Sequence, residues 1–281
     1  MNLFAFGLGY SVQHFLRHHA KGLSVTGTVR SDAKRETLAA DFPNVDVLRF
    51  DDGTAVEAAL AKVDVLLLSA APEESGDPAL ARYSNAIRAA PKLSRAIYLS
   101  TIGVYGDHDG AWIDESAELK PASKRNRARV DAERQWLSLD LPQRHTFILR
   151  LAGIYGPGRN QIENLRDGTA RRVVKDGQVF NRIHVEDISR AIAACLTTDM
   201  PGGIINVTDD EPAPPQDVVT YAARLLGVPP PPEIPFEHAE MGPMALSFWG
   251  QNKRVRNTTL REKLGVMLAC PTYREGLQSL R

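Results

Sequence analysis

An excess of charge of either sign is missing from this 281-residue chain: 34 Lys+Arg stand against 34 Asp+Glu. Sequence-blind binding to nucleic acid needs a surplus of cations, so no nucleic-acid partner is expected. Cysteine is scarce too. Cys195 lies in an apolar helical run and Cys270 in a C-terminal turn. Two such residues cannot form a disulfide framework and read as reduced thiols of a cytoplasmic protein. No apolar run approaches the roughly 18–20 residues that span a bilayer. The longest, Val63–Ala71, contains Asp64 and has a strand's length, so no membrane partner is expected. The N-terminal apolar stretch has no basic leader and is cut by Gly7 and Gly9, which reads as no secretion signal. Neither a Gly-Lys-Ser/Thr phosphate loop nor a Gly-x-Ser-x-Gly elbow occurs, so nucleotide hydrolysis and esterase chemistry lack support. His14, His18 and His19 share no ligand spacing with cysteines or carboxylates, and no metal site is expected.

What is present is alternation. Leu3–Phe6, Leu23–Val29, Val45–Phe50, Val65–Ser69, Ala96–Ser100 and Thr146–Leu151 are apolar runs of strand length. Strands buried on both faces of a parallel sheet read this way. Between them, Val12, Phe15 and Leu16, then Val56, Ala59 and Leu60, then Leu80, Tyr83, Ala86 and Ile87 keep helical spacing. The repeat predicts an α/β fold with a doubly wound parallel sheet. After Leu151 strand-like runs thin out and Pro and Gly cluster, at Gly156–Gly158, Pro212–Pro215 and Pro229–Pro232. The expected division is a dinucleotide-binding domain over 1–151 and a smaller C-terminal substrate lobe over 152–281, with segments returning to the core.

The first run passes directly into Gly7-Leu8-Gly9-Tyr10-Ser11-Val12, opening a helix. A strand-to-helix turn that touches a pyrophosphate needs this composition: Gly7 permits the turn, Gly9 clears the approach, and the helix N–H groups hold the anion. Val12 stands where a third glycine is usual and should hold helix and strand further apart. Arg30 lies 21 positions after Gly9, in the window where an acidic residue would bind the adenosine ribose. A guanidinium with the Ser31 hydroxyl beside it suits a 2′-phosphate, so NADP(H) is favoured over NAD(H). A solvated Arg30 is the bland alternative, and Asp32 reads as a helix cap. Asp51 has two roles open, accepting from the adenine amino group or capping the helix before Thr54. Ser69, Ala70 and Ala71 end the fourth run with small side chains, as close passage of a cofactor requires.

These residues, with Tyr98–Gly106, Leu149–Arg159, Ile183–Ile188 and Ile205–Asp209, resemble the extended short-chain dehydrogenase/reductase family, also described as NAD-dependent epimerase/dehydratases. The resemblance covers nearly the whole chain and implies a Rossmann-like fold and a small-molecule substrate. The family's chemistry rests on a tyrosine with a lysine four residues later, whose charge lowers the phenol pKa from about 10. None of the seven tyrosines here has that lysine. Aligned on Glu133, the two places are held by Arg125 and Arg129, one helical turn apart, which resembles an atypical branch of the family. Facing a cleft, they would favour a carboxylate or phosphate; otherwise they form a solvated basic face with Arg129 paired to Glu133. The resemblance further implies Thr101 as a hydrogen-bonding partner of a substrate oxygen, Tyr105 as the nearby phenol for proton donation, and Tyr155 and Arg159 in the substrate loop. Each has a structural alternative: a strand-end hydrogen bond, cleft packing, loop packing and a solvated guanidinium. His184 reads as structural, Asp187 as a helix cap, and Arg150 as an ion-pair partner. The expected function is an oxidoreductase or epimerase/dehydratase-like enzyme acting on a small anionic metabolite. The alternative is a non-catalytic NADP(H) sensor. The number of subunits, a homodimer included, is open.

Overall fold

The computed structural model describes residues 1–73, 76–139 and 145–281. Strands and helices alternate from the start: β1 (Asn2–Phe6), α1 (Tyr10–His18), β2 (Ser24–Val29), α2 (Asp32–Asp41), β3 (Val45–Arg49), α3 (Gly53–Leu60), β4 (Val65–Leu68), α4 (Pro78–Ala89) and β5 (Arg95–Thr101). Next come β6 (Trp112–Ile113), α5 (Lys124–Ser138), β7 (His145–Leu151), β8 (Gly153–Tyr155), α6 (Gln161–Arg166), β9 (Arg172–Val174) and β10 (Arg182–His184). The chain finishes with α7 (Val185–Thr197), β11 (Gly202–Val207), α8 (Pro215–Leu226), β12 (Glu233–Pro235), α9 (Pro243–Trp249), β13 (Arg254–Val255) and α10 (Tyr273–Gln278).

Among the described residues seven strands form one sheet, in the order β3-β2-β1-β4-β5-β7-β11. The pairings from β3 through β5 are parallel, with Leu3 opposite Val65 and Phe6 opposite Leu68. This is the doubly wound arrangement that the apolar runs predict, and its strand order reverses between β1 and β4. In such sheets a ligand sits outside the carboxyl ends of the strands at that reversal. All six predicted runs fall on sheet strands. One face carries Phe4, Phe6, Leu66, Leu68, Tyr98 and Ile148, packed with Val56, Leu60, Tyr83, Ile87 and Trp136 of the covering helices. The intervening Leu3, Ala5, Val65, Leu67, Ile97 and Phe147 are equally buried, which is why the strands read as continuous apolar runs. Each large side chain so buried contributes about 1.5–3 kcal/mol.

The chain forms two compact units. The first holds Met1–Thr101, Lys124–Arg150 and Ser189–Ile205; the second holds Ile102–Ser123, Leu151–Ile188 and Asn206–Arg281. The expected single boundary after Leu151 therefore misses one excursion, because 102–123 groups with the second unit. The second unit has its own core of Ile162, Ala213, Val218, Ala222, Tyr273 and Leu277. Short parallel pairs β8–β10, β9–β12 and β6–β13 accompany it.

Two expected caps, and one of the two roles open to Asp51, are corrected. Ser31, not Asp32, caps α2 by accepting from the Lys34 amide, while Asp32 pairs with Arg35 and Arg49. Asp52, not Asp51, caps α3 by accepting from the Ala55 amide. Asp187 lies inside α7, and its buried carboxylate accepts from the Ala269 and Cys270 amides at 2.6 and 3.1 Å. In each case the hydrogen-bonding partner, rather than the residue type, decides the role. Arg150 is the ion-pair partner the sequence suggests, 2.7 Å from Glu133 with both side chains buried. No helix among the described residues is long and apolar enough to cross a membrane.

Candidate functional site

From β1 the chain turns into α1 through Gly7, Leu8 and Gly9. Gly7 has φ +95°, and a Cβ there would stand 3.1 Å from both the Ala70 nitrogen and Ser69 Oγ. Its amide donates to Thr28 Oγ1 at 3.3 Å, and its carbonyl accepts from Ser69 Oγ at 2.8 Å. The turn is thus tied to β2 on one side and to the end of β4 on the other. Leu8 points its side chain inward, where a Cβ on Gly27 would meet it at 2.5 Å. Gly9 is the open position. It caps α1 with extended backbone, and among the described residues beyond its chain neighbours a Cβ on it would meet Ser69 Oγ, at 3.9 Å. No side chain caps α1 and no acidic residue lies in its first turn, so the positive helix end is unopposed by charge there. Val12 is wholly buried and does not fill this space. A glycine cradle beside an uncapped helix terminus fits a dinucleotide's diphosphate. Tyr10 is half-buried and Ser11 buried at the head of the helix; Ala70 borders the turn without a bulky side chain, and Ala71 after it is exposed.

The ends of β2, β3 and β4 carry alternating charges. Arg30 is exposed and its Nη2 lies 2.8 Å from Glu73 Oε1. Arg49 bridges Asp32 at 2.6 Å and Asp51 at 2.7 Å. The hydrogen bond from Arg49 holds the Asp51 carboxyl below the usual carboxylate range, so Asp51 is an ionised acceptor. Arg82 donates to the Asp51 carbonyl at 2.8 Å.

At the end of β5, Ser100 points inward and donates to the Glu133 carboxylate, while Thr101 is half-buried. Arg125, in the first turn of α5, is exposed. Arg129 departs from expectation. Its guanidinium is buried, donating to the Leu99 carbonyl at 2.9 Å and the Tyr98 hydroxyl at 3.1 Å, and lies 5.6 Å from the Tyr98 ring centre. It is a brace under β5 and not one of two cations facing a substrate. Its suggested partner Glu133 is occupied by Arg150 and Ser100. Burial pushes the Tyr98 phenol up to about 12 against the opposing charge of Arg129, so Tyr98 stays protonated.

The second unit corrects two more roles. Tyr105 is fully buried and donates to Asn206 Oδ1 at 2.7 Å. Asn206 also donates its amide to Glu115 and its Nδ2 to the Arg256 carbonyl. Tyr105 is therefore a structural anchor, its hydroxyl proton held by Asn206 and not offered to solvent. Tyr155 is buried as well: its hydroxyl donates to the Thr272 carbonyl at 3.4 Å, and a Cβ on Gly276 would collide with it. Burial raises its phenol pKa well above the ordinary value. It packs against α10 instead of lining a substrate loop. Arg159 is exposed in the Gly156–Arg159 turn.

Sequence reading missed Thr28 and Lys253. Lys253 is buried and donates to the Gly106 carbonyl at 2.7 Å and Gln251 Oε1 at 3.1 Å; burial pulls its ammonium pKa down to about 8. No local pattern marks it, because its acceptor at Gly106 is 147 positions away. Among the described residues no group of three or more His, Cys, Asp and Glu is placed to hold a metal ion.

Comparison with known proteins places these features in a family context. The model of the NAD dependent epimerase/dehydratase family matches residues 9–208. Protein YeeZ of Escherichia coli strain K12 is 32% identical over 227 residues, covering 75% of this chain and 78% of that protein. The 3-diazoavenalumate denitrifying reductase of a Streptomyces species is 32% identical over 164 residues, covering 54% of this chain and 51% of that protein. A functionally unknown conserved protein from Silicibacter pomeroyi DSS superposes with a TM-score of 0.90 at 45% identity, over 99% of this chain and 97% of that one.

Proposed function

The chain belongs to the NAD-dependent epimerase/dehydratase family, and on that premise we propose an NADP(H)-preferring oxidoreductase or epimerase/dehydratase-like enzyme that acts on a small anionic metabolite without the usual Tyr/Lys pair. The observation that carries the coenzyme reading is the open Gly9 cradle at the head of α1. Main chain from Gly7 through Ser11 would hold the diphosphate, with Ser69, Ala70 and Ala71 along its border. Asp51 would accept from the adenine amino group, and Arg30 with Ser31 would receive a 2′-phosphate. The coenzyme, when bound, gives or takes a hydride.

The chain's own contribution is positioning and charge. Thr101 would donate its hydroxyl to the substrate oxygen on which negative charge develops. Arg125 would pair with the substrate's carboxylate or phosphate, a task suited to an exposed guanidinium. Arg159, exposed in the Gly156–Arg159 turn, is kept as a substrate-loop candidate. The reductase relative is named for a carboxylate, which supports an acidic substrate.

Two substitutions test this. Arg30→Ala should weaken NADPH binding roughly 10- to 100-fold, the loss of one or two charge-assisted hydrogen bonds. NADH binding should stay as it is. Fluorescence titration with both nucleotides checks this, and an equal loss for both refutes the NADP(H) preference. Arg125→Ala should lower kcat/KM by a similar factor, about 10- to 100-fold, on an accepted carbonyl acid or nucleotide sugar. Its coenzyme affinity should not move. Unchanged turnover would place Arg125 in solvent.

A further inference from the structure

Glu73 is an exposed acid outside the helices and the sheet strands. It follows β4 by five residues, and its backbone is closed into a turn with Gly76 by hydrogen bonds of 3.0 and 3.1 Å. Its carboxylate meets Arg30 at 2.8 Å, at the far end of β2. The other acids at these strand ends are held by other arginines: Asp32 by Arg35 and by Arg49 from the end of β3, Asp51 by Arg49. Glu73 alone among these reaches Arg30 from another strand end.

We propose that Glu73 is a coenzyme-specificity residue that aims the Arg30 guanidinium while opposing a phosphate placed on it. The proposal rests on the NADP(H) reading above. Arg30 and Glu73 side chains are 70% and 54% exposed, so their pairing adds little to stability and can be exchanged for another anion. A 2′-phosphate brings nearly two negative charges and accepts from the same guanidinium. The Glu73 carboxylate then stands beside it as a like charge. A nucleotide with a free 2′-hydroxyl meets no such opposition and leaves the pair intact. Glu73 thus narrows the margin by which Arg30 favours the phosphorylated coenzyme, and salt should blunt the effect because the pair is exposed.

Glu73→Gln keeps the side-chain length and an acceptor for Arg30 while removing the charge. Dissociation constants for NADPH and NADH, measured by equilibrium fluorescence at low and high salt, provide the readout without turnover. The expected result is NADPH binding tightened roughly threefold to fivefold at low salt, less at high salt, with NADH unchanged. No change in the ratio of the two constants overturns the proposal, and so does a loss confined to NADH, which would make Glu73 a ribose ligand. Arg30→Ala separates the failures. If it selectively weakens NADPH while Glu73→Gln does nothing, Glu73 is excluded and the coenzyme reading stands. If it weakens both nucleotides equally, the coenzyme reading falls and Glu73 with it.

Discussion

Gly9→Asp is expected to abolish dinucleotide binding, by 100-fold or more, in a protein at least as stable as the parent. Aspartate is a strong helix N-cap, better than glycine by a few tenths of a kcal/mol, and its charge suits the positive end of α1. The backbone at Gly9 is extended, and among the described residues beyond its own chain neighbours a new Cβ would meet Ser69 Oγ, at 3.9 Å. The fold therefore has room for the side chain. A diphosphate does not, because the carboxylate would occupy its space and repel its charge. Thermal unfolding and nucleotide titration on one sample separate the two effects. Retained binding in a stable Gly9→Asp protein would remove the coenzyme from this turn, and a large loss of stability would show that the fold has no room for a side chain at Gly9.

The second large effect is on stability. Glu133→Ala should cost about 3–5 kcal/mol, because it strands the buried Arg150 guanidinium and removes the acceptor of Ser100. Both side chains of the pair are 2–3% exposed, so water cannot replace the lost partner. Replacing both, as Glu133→Leu with Arg150→Met, should recover much of that loss, since paired burial of charge is weakly favourable at best. Urea unfolding of the parent, the single and the double variant measures this directly. A single variant within 1 kcal/mol of the parent would mean that the site relaxes and admits solvent.

The sheet was legible because its strands are buried on both faces. β1, β4, β5 and β7 present largely apolar runs, whereas β2 and the edge strand β3 mix in Thr26, Thr28, Asp46 and Arg49. The strands of the second unit are two or three residues long, too short for any period to show. The Gly7–Gly9 turn was legible because its backbone demands are local. Arg129 was not. Spacing puts it on the same face of α5 as Arg125, but its acceptors at Tyr98 and Leu99 lie 31 and 30 positions earlier. An arginine is expected in solvent unless a partner is known, and this partner exists only once β5 and α5 are packed. Tyr105 and Tyr155 misled in the same way. Family position suggested proton donation for Tyr105 and a substrate-loop place for Tyr155, whereas Asn206 and Thr272, distant in sequence, decide where their hydroxyls go.

The interleaving of the two units has a consequence for dissecting the protein. A fragment ending at residue 151 would carry the complete glycine turn and six of the seven sheet strands, yet it would lack β11 and expose the hydrogen-bonding edge of β7. A bare inner strand invites pairing with another molecule. Such a fragment should precipitate or self-associate on expression. A soluble nucleotide-binding half would have to be rebuilt by splicing residues 189–205 onto it, and the same vulnerability faces the nascent polypeptide until about two hundred residues have left the ribosome.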